Sequence, residues 1–195
     1  LPFEYIDLVS MFKRTHYADL YEVFKIGEFT VQFLDAGHIP GSASMIVEAD
    51  GKRLLYTGDI NGAGTMLLNG ADYNFGELDA IITESTYALS DHKPRHEVEK
   101  EFVDYAREIV EGGGTLLVPA FSVGRAQEIA CVLRAAKFPY PVAMDGMALK
   151  ANEILMRNQE YLKDPKEFRR TLENIEIMQN WPQRKKMAKP PSVII

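Results

Sequence analysis

The chain opens with a helical pattern over residues 1–16, where Ile6, Val9 and Phe12, or alternatively Leu8 and Met11, recur on one apolar side. Residues 17–27 read as a connector. Short apolar runs then appear near 29–34, 44–48, 53–56 and 79–83, each with the length and alternation of a strand. Asp50-Gly51 between the second and third runs is a two-residue hairpin signal. Residues 61–74, which include Gly62, Gly64 and Gly70, predict a loop or a short helix. After Tyr87 the period lengthens. Val98, Phe102, Ala106, Ile109 and Val110 recur at helical spacing, and Gly112-Gly113-Gly114 ends that helix. A buried strand follows over 115–118. Ala126, Ile129, Ala130, Leu133 and Ala136 mark another helix, 141–144 another strand, and 148–161 a further helix. Such alternation predicts a parallel α/β unit with helices covering a sheet. The change of pattern falls near residue 88, the best place for a domain boundary.

The 195 residues are 46% hydrophobic, enough to bury a substantial core. The net charge of -6 does not suggest a nucleic-acid binder, but its distribution is uneven. Through Tyr87 there are 5 basic and 13 acidic residues; the remainder holds 17 and 15. The second part is mildly basic, and an ordinary solvated surface explains that as well as a nucleic-acid partner does. A single cysteine, Cys131, excludes an internal disulfide and fits a reducing, cytoplasmic setting. It falls within a helical apolar pattern and reads as a small core residue. No apolar run reaches membrane-spanning length. The chain begins with Leu and stops within an apolar run, 192–195, so it is expected to be a piece of a longer protein.

The candidate chemistry sits at strand ends. Ala36-Gly37-His38-Ile39-Pro40-Gly41-Ser42-Ala43 and Tyr56-Thr57-Gly58-Asp59 each set a ligand-type side chain in a glycine-bearing turn after an apolar run. Ile81-Ile82-Thr83-Glu84-Ser85-Thr86-Tyr87 repeats the device with a carboxylate. A His, an Asp and a Glu are the residue types of a zinc-hydrolase centre, although a capping His and turn carboxylates are the plainer alternative. Ser85 and Thr86 shape that turn; no His/Asp relay surrounds them. Gly124-Arg125 opens a helix, where free backbone amides and a guanidinium suit a phosphate; Ser122 shares the loop. The alternative for Arg125 is an i,i+3 pair with Glu128. His92 and His96 are separated by Pro94, which marks the first helical turn, so no metal is assigned there. His16 reads as a polar residue closing the first helix. Trp181, before Pro182, reads as a buried anchor in preference to a base-stacking ring. Arg184-Lys185-Lys186 and Lys189 form a basic cluster that either touches nucleic acid or is simply solvated.

In wording and order, these runs resemble motifs three and four of the metallo-β-lactamase fold, followed by motif A of its β-CASP branch. Pro119-Ala120-Phe121-Ser122-Val123-Gly124-Arg125-Ala126-Gln127-Glu128 resembles that branch's Pro-x-Phe-x-x-Gly-Arg-x-Gln-Glu segment. Asp145-Gly146-Met147-Ala148 and Pro191-Ser192-Val193-Ile194-Ile195 are similar to later landmarks. The branch includes ribonuclease J and the endonuclease of the eukaryotic cleavage and polyadenylation machinery. The resemblance implies an α/β fold: residues 1–87 the C-terminal part of a metallo-β-lactamase αββα domain, and 88–195 a β-CASP parallel α/β domain cut short. It implies a zinc-dependent ribonuclease in RNA processing or decay, with two Zn2+ per complete site. His38 would bind one metal, Asp59 bridge both, and Glu84 work beside them; Ser122, Gly124 and Arg125 would hold an RNA phosphate. His92 matches a recurrent His after motif A, with a substrate-side or packing role. Partners would be RNA, a second copy, or processing-complex subunits. The family's His-x-His-x-Asp-His run does not occur: the histidines are His16, His38, His92 and His96. The chain alone is therefore expected to bind zinc weakly and to be inactive. The competing readings are a non-catalytic β-CASP scaffold that binds RNA or proteins, and a hydrolase of the same fold acting on DNA or small esters.

Overall fold

A computed structural model describes residues 2–189 and 191–195. Five strands, β1 (Val23–Ile26), β2 (Phe29–Asp35), β3 (Ala43–Ala49), β4 (Lys52–Tyr56) and β5 (Ala80–Ile82), form one sheet in chain order. The first four pair antiparallel, and β5 joins β4 in parallel. Side chains alternate across a strand, so Leu34, Ile46 and Leu55 meet on one face, where Phe75 and Leu78 cover them. The β3–β4 hairpin turns on Asp50 and Gly51, at φ 51° and 70°, the pair of positive values that a type I′ turn needs. β1 lies inside the expected connector: it is a four-residue edge strand with mostly exposed side chains. The first helix, α1 (Tyr5–Lys13), is shorter than expected, and its predicted apolar face is uncovered. Ile6 and Phe12 are 65% and 68% exposed, and no residue of α1 is buried. A reciprocal capping box between Glu4 and Asp7 starts it. Its end at Lys13 leaves His16 outside the helix; Leu1 lies outside the described residues.

The second sheet has the order β6 (Thr115–Leu117), β9 (Ser192–Ile194), β7 (Val142–Asp145), β8 (Glu176–Met178), all parallel. Around it run α2 (Arg95–Glu111), α3 (Arg125–Ala135), α4 (Met147–Arg157), α5 (Pro165–Glu173) and α6 (Trp181–Met187). Val103, Ala106 and Val110 of α2 pack with Val132, Leu133, Val142 and Val193. The helix expected over 148–161 ends at Arg157 and is followed by a 3-10 turn, Gln159–Tyr161. Trp181 is no buried anchor. As the first residue of α6, behind the Asn180 cap, it points outward and is 72% exposed.

Residues 61–74 form no helix; they reach across to the second sheet's helices. Leu67 and Leu68 pack with Leu155, Leu162 and Phe168 in one buried cluster. Glu128 accepts hydrogen bonds from the Met66 and Leu67 amides at 2.9 and 2.8 Å and pairs with Arg95. Lys163 donates to Thr65 O at 3.1 Å. Cys131 borders that cluster, and burial pushes its thiol up to about 11, the state of an inert packing residue.

Arg184 of the basic cluster has a structural partner. Its Nε and Nη2 donate to the two Asp145 oxygens at 2.6 and 2.9 Å, tying α6 to the end of β7. That guanidinium holds the Asp145 carboxyl below its ordinary range. A depressed folded-state value gives stability that is present above the unfolded value and lost as pH falls through the folded one. Acidification below about pH 4 is expected to loosen α6, seen as a change in Trp181 emission. Asp145→Asn should abolish that transition; an identical acid transition in the variant would show that the pair does not fasten α6.

Candidate metal and RNA site

His38 follows β2 in a turn stapled from both sides. Asp35 Oδ1 accepts from the Gly37 amide at 2.8 Å, and Ser42 Oγ from the His38 and Ile39 amides at 3.1 and 3.2 Å. Gly37, at φ 64°, lies so close to the backbone of Asn61, Gly70 and Ala71 that no side chain fits there. Asp59 follows β4. The preceding Thr57 is buried, with its carbonyl accepting from Ser44 Oγ at 3.0 Å and its amide donating to Ile82 O at 3.0 Å. Glu84 follows β5, its oxygens accepting from the amides of Ile60 (3.3 Å) and Thr86 (3.2 Å). These three strand ends lie at one edge because β2 and β4 both pair antiparallel with β3 and β5 joins β4 in parallel.

His38 Nε2 stands 3.8 Å from Asp59 Oδ2. That is too long for a hydrogen bond and less than the roughly 4.1 Å that two metal–ligand bonds of about 2.05 Å can bridge. Both side chains are substantially exposed, at 45% and 73%. Glu84 and Asp59 border one open cleft of ≈ 260 Å³ with Tyr56, Gly58, Ile82 and Thr83; His38 reaches it through Asp59. The Thr86 hydroxyl, then the Ile60 amide, hold the Glu84 carboxyl below its ordinary range, and the His38 ring adds to this. Glu84 is therefore poised as an anion. An imidazole nitrogen and a carboxylate oxygen fit zinc in donor type, but a zinc ion takes about four donors. Among the described residues, no three His, Cys, Asp or Glu side chains form a metal-holding group.

The helices of the second sheet meet the His38 turn at the start of α3. Gly124, at φ 82°, is the N-cap, and a Cβ there would lie 3.2 Å from Ile39 Cγ2. The helix start thus rests on the residue after His38. Arg125 is exposed, and among the described residues it makes no ion pair. The alternative pairing with Glu128 is replaced by the Arg95 pair. Ser122 is half-buried, and its carbonyl accepts from Gln127 Nε2 at 3.0 Å. His92 packs edge-on against Tyr87, with ring centroids 4.2 Å apart, and does not line the cleft. Pro94 is the N-cap of α2, which leaves His92 before the helix and His96 in its first turn. Sequence reasoning missed Glu128 as the link between the units, and Ser42, Ser44 and Thr57 as supports. The Ser42 bond has a local signal, a serine four residues after His38 in a glycine turn.

No protein-family model matches the chain. Over 196 residues it is 35% identical to RNase aCSPSF2 of Saccharolobus solfataricus, covering 100% of this chain and 40% of that protein. Over 155 residues it is 37% identical to the probable RNase MJ4 of Methanocaldococcus jannaschii, covering 78% of this chain and 36% of that one. Over 103 residues it is 40% identical to cleavage and polyadenylation specificity factor subunit 3 of Dictyostelium discoideum, 53% of this chain and 13% of the other. The chain spans 40% or less of the length of these three relatives. With a mixed α/β fold and motifs in family order, the chain is a homologue of these RNases over part of their length and matches the β-CASP branch of the metallo-β-lactamase fold.

Proposed function

We propose that this chain supplies part of the active site of a zinc-dependent ribonuclease that cleaves RNA phosphodiester bonds in RNA processing or decay. The observation that carries the reading is that Asp59 stands 3.8 Å from His38 and shares a cleft with Glu84. The names of its relatives support RNA as substrate. In this reading residues 1–87 belong to the metallo-β-lactamase domain and 88–195 to the β-CASP domain. His38 would bind one metal and Asp59 both, with the other ligands supplied by polypeptide outside these 195 residues. Zinc bound there would supply Lewis acidity, activating a water at neutral pH and offsetting charge on the phosphoryl oxygens. His38 and Asp59 would hold and orient it. Glu84, kept anionic by Thr86 and Ile60, receives or steers a proton; donating one would need a partner group to hold it there. Arg125 and the amides at the start of α3, with Ser122 beside them, hold a backbone phosphate next to the His38 turn. His92 packs on Tyr87, three residues after Glu84, and steadies that turn.

Two measurements test this. The purified 195-residue chain should carry well under one zinc per molecule by mass spectrometry and leave RNA uncut. In the complete reading frame, RNA cleavage should depend on metal, and Asp59→Asn or His38→Ala should lower kcat/KM at least about a hundredfold, since even changes beyond the ligands cost 10–100-fold. Stoichiometric zinc with turnover by the chain alone would sink the shared-ligand proposal. Undiminished cleavage after Asp59→Asn would sink the nuclease site, and RNA binding with no cleavage in the complete protein would leave a scaffold.

A further inference from the structure

Open parallel sheets bind ligands at the carboxyl ends of their strands. In the second sheet the registers Leu117↔Ile194, Ala143↔Ile194 and Asp145↔Met178 bring the carboxyl ends of β6, β7 and β8 to one edge. A large apolar side chain stands just past each end: Phe121 after β6, Met147 after β7 and Trp181 after β8. They are 86%, 77% and 72% exposed. Scattered single exposures need no explanation, but three along one edge form a surface. The outer two are each matched with a cation. Arg125 lies four residues after Phe121, in a loop folded onto the helix start by the Ala126 amide bonding to Phe121 O. Lys185 lies four residues after Trp181 on α6, on the same helix face. Neither cation makes an ion pair among the described residues. Asp145, at the same edge, is already neutralised by Arg184. From β6 to β8 are three strand spacings of about 4.8 Å, roughly 14 Å in all.

We propose that Phe121, Met147 and Trp181 form a track for the unpaired bases of single-stranded RNA, with Arg125 and Lys185 on its phosphates. It leads from the corner beside His38 across the sheet edge. This rests on the ribonuclease reading and adds to it the residues that would hold unpaired bases away from the metal cleft. An aromatic ring beside an unpaired cation, at both ends of one edge, matches the alternation of base and phosphate along a strand. A duplex keeps its base faces stacked and offers nothing to Phe121 or Trp181. Stacking accepts any base, so the track selects strandedness and not sequence.

Trp181 is the single tryptophan of the chain, so its emission reports directly on stacking. A short unstructured RNA oligomer, titrated into the chain in the presence of a chelator, should quench that emission saturably. An abasic oligomer of equal charge should bind without quenching, and a duplex should bind about tenfold more weakly or less. Phe121→Ala should weaken binding about tenfold. Arg125→Ala should reduce the salt dependence by roughly 0.7 in log–log slope and leave the maximal quench intact. All three side chains are exposed, so the variants should melt like the parent. The proposal is overturned by unquenched emission at saturating RNA, or by equal affinity for duplex and single strand. It is equally overturned by self-association that buries Trp181 without RNA, which would make this edge a contact between copies. Quenching without metal-dependent cleavage in the complete protein would remove the nuclease reading alone; cleavage that needs Asp59 without quenching would remove the track alone.

Discussion

Gly37→Ala is expected to cost about 4 kcal/mol or more, beyond the usual range of single substitutions, and to disorder the turn that carries His38. Two causes act together. The residue sits at φ 64°, a conformation that costs an L side chain roughly 1–2 kcal/mol. A Cβ there would also fall under 3.0 Å from three backbone atoms, Ala71 N, Asn61 O and Gly70 C. Those atoms have little room to retreat. The Asn61 amide bonds to Ala36 O at 2.9 Å, the Ala71 amide to Asn61 O at 2.8 Å, and the Asp72 amide to Asp35 O at 2.9 Å. A shift large enough for one methyl group breaks that ladder, which also positions Leu67 and Leu68. Gly51→Ala is the matched control. It has φ 70° and nothing within 4 Å of its added Cβ, so it carries the backbone cost without the collision. Thermal melting of the two variants should separate them by several degrees, since 1 kcal/mol shifts Tm by about 2–4 °C in a chain of this size. Equal Tm losses would mean that the close approach at Gly37 relaxes freely and that only its dihedral matters.

The elements legible in the sequence are those whose signal is local. Alternation placed β2, β3 and β4, and the Asp50-Gly51 pair placed the turn between the last two. Helical spacing ended by three glycines placed α2, and β6, α3 and β7 followed from the same change of period. β1 escaped because Val23–Ile26 offers one half-buried side chain in four; its better mark was Gly27, at φ 61°, in the two-residue link to β2. α5 went unread although Asp164-Pro165 is a strong start signal, and the Asp164 side chain caps it by accepting from the Lys166 and Glu167 amides. Trp181 was misjudged on composition: tryptophan is usually well buried, yet here Asn180 and Pro182 fix it as the exposed opening of α6. The positions of His38, Asp59 and Glu84 at strand ends were readable. Their mutual distance was not, because it depends on β4–β5 pairing across the long 57–79 connection. For Glu128 the local pattern pointed to Arg125. Its actual partners, Arg95, Met66 and Leu67, lie 33, 62 and 61 residues away, a choice made only when the two sheets come together.

Glu128→Gln is expected to lower stability by about 3 kcal/mol, with the loss concentrated where the two units join. The substitution keeps the shape of the side chain, so no cavity forms; what changes is charge and acceptor count. The carboxylate is 7% exposed and uses both oxygens, one for the Met66 amide and Arg95, the other for the Leu67 amide. An amide in its place must turn an NH2 group toward one of three donors, leaving a buried donor unsatisfied at about 1–3 kcal/mol and weakening the bonds that remain. Arg95 keeps Glu99 at 2.6 Å, which tempers the cost of a stranded charge. Hydrogen exchange locates the damage. Amides at 65–68 should exchange about a hundredfold faster, because 3 kcal/mol is roughly two decades, while amides in β2 and β3 should be less affected. Glu99→Gln, a half-buried i,i+4 partner of the same arginine that accepts a single hydrogen bond, should cost about 1 kcal/mol. The difference between those two variants decides what Glu128 is. Equal, small effects would make it one more surface charge, and Leu67, Leu68 and Phe168 would then hold the units together by apolar contact alone. A large effect confined to 65–68 would mean that the distance from Arg125 to His38 and Asp59 is set by a single carboxylate, reaching from α3 into the loop behind His38.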